Sequence, residues 1–568
     1  AFASETQKYN FYQVSKIALE HNIVFLFALL TIFSCSKDEN GPNSTESVIN
    51  TQIESAFINE IPIINGQIKY GLPTDSVIFH LHFATDIDTK KLKKDKIRID
   101  NGIDTSYLVL NEDSKRVLSI KIGKRLDDYS TYTLSISSGR NLGVNLIKDY
   151  QFSFITELDN TPKFPIISND SLLTLVQKQT FRYFWDYSHP VSGLARERTG
   201  SGETVTIGGT GFGVMAMLVA IERGFITRRQ GFDRISTIVN FLNTKADRFH
   251  GAFPHWLNGT TGKVQPFSDR DNGADLVETA FMMQGLLTAQ QYFSNGDREE
   301  KNLCDTIQKI WKDVEWTWFQ QNEQQKLYWH WSPNYEWAIN MPITGWNESL
   351  IVYILAASSP TYPIKKSVYD NGWARNGDIR NGKMFYDVQL PLREDQGGPL
   401  FFAHYSFLGL DPRNLSDAYA NYWTQNTAHS KINYLYCIAN PLGNFGYGPD
   451  CWGLTASDSP TGYRASSPNN DNGTIAPTAA LSSMPYTPDE SMRALRYFYY
   501  VLGDKIWSDY GFMDSFNLNK KWFSNSYLAI DEGPIIIMIE NYRSQLLWNL
   551  FMQSEDVQRG LKKLEFSF

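Results

Sequence analysis

Gly213-Val-Met-Ala-Met-Leu-Val-Ala-Ile221 is apolar on every side and is halted by Gly224. A helix with no polar face must be buried all round. An amphipathic stretch at 231–248 follows it, and the same alternation runs down the chain. Near-continuous apolar segments fall at 273–290, 347–358, 398–408, 474–483 and 534–550, with more polar, amphipathic ones at 299–320, 414–438 and 488–502. Six buried helices interleaved with half-wet ones predict a mainly α chain built on an (α/α)6 toroid over 165–568. An irregular α-solenoid fits less well, because no repeat of roughly 30–45 residues is visible. The opening helix is expected to be capped by Asp170 and to bury Leu173, Val176, Phe181 and Phe184. A short helix near 363–374 and a hairpin are expected within 359–397.

Upstream the period changes from helical to two. Val77, Phe79, Leu81 and Phe83 alternate with Ile78, His80 and His82, and Leu118/Ile120/Ile122, Tyr132/Leu134/Ile136 and Tyr150/Phe152/Phe154 repeat the alternation. Several half-buried strands in about a hundred residues predict a small all-β sandwich over 51–158. The basic run Lys90, Lys91, Lys93, Lys94, Lys96 is expected to be a solvated loop, and 162–165 to be the linker. Ahead of it, Ile23–Phe33 is an apolar run too short to span a bilayer, followed at once by Ser34-Cys35 and a polar stretch. That is the layout of a bacterial lipoprotein leader: segment 1–35 the leader, Cys35 the acylated residue and 36–50 a tether. It predicts a chain that meets the membrane through a lipid anchor only, in the periplasm or on the outer-membrane surface of a Gram-negative cell.

Composition narrows the function. A net charge of −8 argues against a nucleic-acid partner, which needs a basic face. Aromatic residues make up 14%, including 15 Trp; most serve cores, and a surplus also suits a cleft that stacks sugar rings. Cys304, Cys437 and Cys451 make no C-x-x-C, and a Cys437–Cys451 bridge is open on spacing alone. The nine His form no H-E-x-x-H, so neither a metal nor another cofactor is expected. Nothing in the sequence calls for more than a monomer.

Inner helices of a toroid run parallel, so their N-termini open at one end and residues there share a cleft. Three acidic groups pass this test: Asp271, Asp275 and Glu278 in DNGADLVETAFMMQGLL, Glu348 after Asn347 in GWNESLIVYILAASSP, and Asp531 with Glu532 in AIDEGP, where Pro534 suits a first turn. The helix dipole alone accounts for any one of them, at about 0.3–1 kcal/mol. It accounts poorly for Asp275 and Glu278, which continue into an apolar helix at a spacing where like charges repel. Paired carboxyls at a cleft suit glycoside hydrolysis, one donating a proton to the leaving oxygen and one activating water or attacking the sugar. Trp256, Trp331, Trp346, Trp452 and Trp522 are candidate stacking platforms. The long segment 453–488 is expected to wall the cleft and to offer Asp458, Tyr463 and Arg464 to a sugar.

Seven stretches carry a family resemblance: TFRYFWDY (180–187), GGTGFGVMAM (208–217), DNGADLVETAFMMQGLL (271–287), GWNESLIVYILAASSP (345–360), HYSFLGLDPR (404–413), CWGLTASD (451–458) and WFSNSYLAIDEGPIIIMIENYRS (522–544). Together they resemble the bacterial β-1,2-glucanase family of glycoside hydrolases, whose catalytic module is often labelled glucoamylase-like. The 51–158 block resembles the immunoglobulin-like modules that stand before such domains in surface glycosidases. The resemblance implies an (α/α)6 barrel and hydrolysis of β-1,2-linked glucose chains with anomeric inversion. It makes Glu348 the candidate general acid, Asp531 the candidate general base, and Asp271, Asp275 and Glu278 residues of the substrate subsites. A glucoamylase-like exo-hydrolase on the same barrel, or a glycan-binding lipoprotein without turnover, are the competing expectations.

Overall fold

The computed structural model describes residues 48–104 and 108–568. The expected leader, the expected lipid-anchor site at Cys35 and most of the expected tether lie outside the described residues. Two compact units are separated at Thr161/Pro162.

The N-terminal unit is β-rich. A five-stranded antiparallel sheet runs 61–63, 53–58, 78–83, 117–122, 108–114 in spatial order. A four-stranded sheet runs 68–72, 150–156, 131–136, 97–99, its first pair parallel and the others antiparallel. Every apolar residue of the period-two pattern faces inward, because successive side chains of a strand point to opposite faces. Phe79 of one sheet meets Phe154 of the other edge to face, with ring centroids 5.8 Å apart, so the two inner faces close on one core.

The second unit is helical, with α1 (Asn169–Asp186), α2 (Ile207–Glu222), α3 (Arg228–Thr244), α4 (Leu276–Phe293), α5 (Arg298–Asp313), α6 (Leu350–Ser358), α7 (Lys366–Asn371), α8 (Tyr422–Ala439), α9 (Pro477–Leu481), α10 (Pro488–Tyr500), α11 (Gly503–Ile506), α12 (Ala529–Arg543), α13 (Leu546–Met552) and α14 (Glu555–Lys563). Burial follows the sequence pattern: α2, α4 and α6 are enclosed almost throughout, whereas α3, α5 and α10 keep one wet face. The enclosed α2 packs most extensively against α4 and α12.

Several expectations need correction. Ser168, not Asp170, caps α1, its Oγ accepting from the Ser171 N–H; Asp170 instead takes a 2.6 Å hydrogen bond from Arg543. The 398–408 segment is not an α-helix but two 3-10 turns, 400–403 and 405–407. A run apolar at every position has no periodicity to say which backbone it adopts. Only five residues of 474–483 are helical, since Ile475 is drawn into a bridge with Phe516. The 534–550 helix starts five residues earlier and breaks at Gln545, whose φ is 64°. Pro534 is therefore inside α12, and Asp531 and Glu532 fall in its first turn. The three cysteines of this unit are free thiols, so no Cys437–Cys451 bridge forms.

Candidate active site

Asp275 is the cap of α4. Its backbone is extended, and its Oδ1 accepts the N–H groups of Val277 and Glu278, both at 2.9 Å. The other oxygen, Oδ2, faces His255 Nδ1 at 2.7 Å. Asp275 lies opposite His330 in a two-residue antiparallel ladder, and His330 Nε2 stands 3.1 Å from Asp271 Oδ1. Spacings of four and three predict that the three acids share one helical face, and the structure corrects this: Asp271 sits in the approach, Asp275 is the cap and Glu278 is in the first turn. The ladder keeps 274–275 extended and delays the helix.

Glu278 reaches across to the next helix. Its Oε2 accepts the Gly208 N–H at 2.7 Å, at the start of α2, with Thr206 Oγ1 at 3.4 Å. A Cβ at position 208 would lie 2.7 Å from that oxygen, which is why glycine stands there. Burial, helped by the Asp275 charge, pushes the Glu278 carboxyl up to about 7, with His255 opposing. Burial also opposes the charge on His255, yet Glu278, Asp275 and Asp271 outweigh it and lift the imidazole to about 9.

Glu348 precedes α6. Asn347 Oδ1 takes the Ser349 N–H at 2.9 Å, and Ser406 Oγ donates to the Glu348 carbonyl at 2.5 Å while accepting the Ile351 N–H at 3.0 Å. The carboxyl is 4% exposed, and burial, with a contribution from Asp275, raises it above the ordinary glutamate range. Asp531 is as deeply enclosed; its Oδ1 accepts the Tyr405 hydroxyl at 3.3 Å. Tyr405 thus donates to Asp531 and lies within electrostatic range of Glu348. Behind Asp531 come Asp514, then Asp458, which is gripped by Arg198 Nη1 at 3.0 and 3.3 Å and by Ser526 Oγ at 2.5 Å.

Glu532 follows Asp531 without a comparable partner: its Oε2 is buried and unbonded among the described residues. Burial and the charges of Asp514 and Asp531 raise it well above the usual range. A carboxyl raised in the folded chain holds its proton more tightly there than in the unfolded chain. Its contribution is complete below the unfolded value and is lost as pH climbs through the folded one. Glu532→Gln should therefore stabilise the protein at about pH 8 and change little near pH 4. Denaturant unfolding at the two pH values checks this; equal effects would refute it.

Other candidates move away from the sugar. Trp452 is fully buried and donates its indole N–H to the Glu490 carbonyl at 3.2 Å, so it is a core residue and not a stacking platform. Trp346, 3% exposed, packs among Trp373, Phe407, Tyr422 and His429 and offers no open face. Asp458 is committed to Arg198, and Arg464 is held by Asn470. Trp522 is half-buried in a hairpin opposite Asn517. Tyr463 stays at the site, in the field of Asp531 and Asp514. Trp256 and Trp331 are also near it, Trp256 edge-on to His255 and Trp331 next to His330 in its ladder. Sequence reasoning missed His255, Tyr405, Asp514 and Arg198. His255 had a faint signal beside Trp256 in PHW; Asp514 had none, since it belongs to no helix N-terminus.

The Glycoamylase family model, a glucoamylase-type domain, matches residues 340–555. An exo β-1,2-glucooligosaccharide sophorohydrolase (non-reducing end) of Parabacteroides distasonis is 48% identical over 421 residues, covering 70% of this chain; the chain spans 58% of that relative's length. The endo-β-1,2-glucanase of Chitinophaga pinensis, solved with sophorotriose and glucose, is 54% identical with a TM-score of 0.70, over 71% of this chain and 99% of its own. A β-1,2-glucanase structure from Parabacteroides distasonis is 38% identical with a TM-score of 0.68, over 91% of this chain and 73% of its own.

Proposed function

The chain belongs to the β-1,2-glucanase family of glycoside hydrolases, and on that footing we propose that it hydrolyses β-1,2-glucan or β-1,2-linked gluco-oligosaccharides with inversion of the anomeric centre. One observation carries the assignment of roles: two buried carboxyls from different helix N-termini act on one hydroxyl, Tyr405 donating to Asp531 and lying within electrostatic range of Glu348. Glu348, whose hold on its proton burial strengthens, donates to the leaving glycosidic oxygen. Asp531 accepts a proton from the attacking water on the other face of the sugar. Asp271, Glu278, His255 and His330 line the subsites, and Asp275, its oxygens held by the Val277 and Glu278 amides and by His255, orients His255 toward them.

In this reading the enclosed and half-wet helices form an (α/α)6 toroid, and the β-rich unit is immunoglobulin-like. The whole acts as a monomer, tethered through Cys35 in the periplasm or on the outer-membrane surface. The test is digestion of β-1,2-glucan beside starch, with the anomer read by proton NMR in the first minutes. The expected result is cleavage of the β-1,2-glucan alone with release of the α-anomer. Starch cleavage with inert β-1,2-glucan would overturn the substrate, and a first-formed β-anomer would overturn inversion. Sophorose as the sole early product marks exo action, and a mixed ladder marks endo action.

A further inference from the structure

Asp514 plays no part in the acid–base pair just described, yet it is 3% exposed and lies against Asp531, itself 2% exposed. Each carboxyl has one oxygen that is accounted for. Asp514 Oδ2 accepts the Asp458 N–H at 2.6 Å and the Ser515 hydroxyl at 3.5 Å, and Asp531 Oδ1 accepts Tyr405. Their remaining oxygens, Asp514 Oδ1 and Asp531 Oδ2, are buried with no hydrogen-bond donor among the described residues. Buried polar atoms are rarely left so, and two adjoining carboxylates cannot both carry charge. One proton held between the pair removes both faults.

We propose that Asp514 and Asp531 share a single proton and work as one base, with Asp514 the positioning residue that receives the resident proton when Asp531 takes one from water. The inference rests on the reading of Asp531 as the base. In the free enzyme the negative charge settles on Asp514, where the Asp458 amide and the Arg198 guanidinium beyond it favour an anion, and the proton settles on Asp531. Burial, together with Asp458, pushes Asp514 up to about 7; burial and the Asp514 charge push Asp531 higher still. The other charged or titratable groups facing the pair are Glu532 from the same helix, Tyr405, Tyr463 and Asp458, with Glu348 beyond Tyr405 and Glu197 beyond Arg198.

The step balances. A water O–H bond breaks as its oxygen bonds the anomeric carbon, and that proton goes to Asp531. The resident proton passes from Asp531 to Asp514 Oδ1, so the pair goes from one negative charge to none. The glycosidic C–O bond breaks, and its oxygen takes the Glu348 proton, leaving Glu348 with the negative charge.

The test joins kinetics to infrared spectroscopy on the full chain labelled with carbon-13 aspartate. Asp514→Asn keeps an oxygen for the Asp458 amide and removes the second carboxyl. In the wild type, kcat is expected to fall as pH drops through about 7, when the pair takes its second proton. In Asp514→Asn that acid limb should move down by at least about one pH unit, as Asp531 loses its like-charged neighbour. Its kcat should fall about tenfold, because the weaker base remains, with KM held within about threefold. A protonated-carboxyl band should be present near neutral pH in the wild type and absent from both Asp514→Asn and Asp531→Asn. An acid limb unmoved by Asp514→Asn, or a wild type without the band, overturns the proposal. A chain inert on β-1,2-glucan with the band present, and lost in both variants, refutes the substrate reading and supports the shared proton.

Discussion

Glu348→Gln is expected to lower kcat on β-1,2-glucan by roughly a thousandfold while changing KM by no more than about threefold, within the range by which a positioned general acid accelerates a reaction. Glutamine matches glutamate in shape and hydrogen-bonding reach, and the backbone on either side is held independently by Asn347 and Ser406. What is lost is the transferable proton, which burial makes the carboxyl hold more tightly. The leaving group decides the interpretation. A substrate with a good leaving group needs no protonation, so an aryl β-sophoroside should recover most of the lost rate in Glu348→Gln and gain little in Asp531→Asn. Equal losses on both substrates, or full activity in Glu348→Gln, would remove Glu348 from the acid role.

Gly285→Ala is the change with the largest expected effect on stability. Helix propensity alone makes alanine better than glycine inside a helix, by about 1 kcal/mol. The packing reverses the sign. A Cβ on Gly285 would lie 2.2 Å from the Gly211 carbonyl oxygen, and one on Gly211 would lie 2.4 Å from the Phe281 carbonyl oxygen. Helices α2 and α4 thus meet backbone to backbone, with no flexible side chain to yield, and the variant must push them apart. Overpacking of this kind costs about 3 kcal/mol. The same shift pulls the Glu278 carboxyl from the Gly208 amide it holds at 2.7 Å, so activity should fall together with stability. Denaturant unfolding of the variant decides it; stability equal to or above that of the parent would mean that propensity wins and the close contact is illusory.

The helix N-termini explain why part of the site could be read in advance. Asp275, Glu278, Glu348 and Asp531 each stand at the start of an apolar segment, so periodicity marks the segment and the acid marks its mouth. Asp458 and Arg464 lie in a long polar loop, which says where a residue is free to go and nothing of what holds it. The structure pairs Asp458 with Arg198, 260 positions earlier. Two of the five Trp candidates left the cleft for a related reason. An indole in a segment without periodicity suits a cleft wall or a core equally well, and Trp346 and Trp452 went to the core.

The chain's own pattern determined which segments are buried all round, which are half-wet and where strands give way to helices, because each is a matter of local periodicity and the cost of leaving apolar surface in water. Tertiary structure alone decided where apolar runs become 3-10 turns and how far α12 extends ahead of Pro534. It also decided which carboxyls meet. Asp514 and Asp531 are 17 residues apart in sequence, one in a loop and one in the first turn of α12, and nothing local to either foretells the other. Coulomb repulsion and desolvation act through space, so the protonation of these acids is a property of the assembled interior and not of any segment in it.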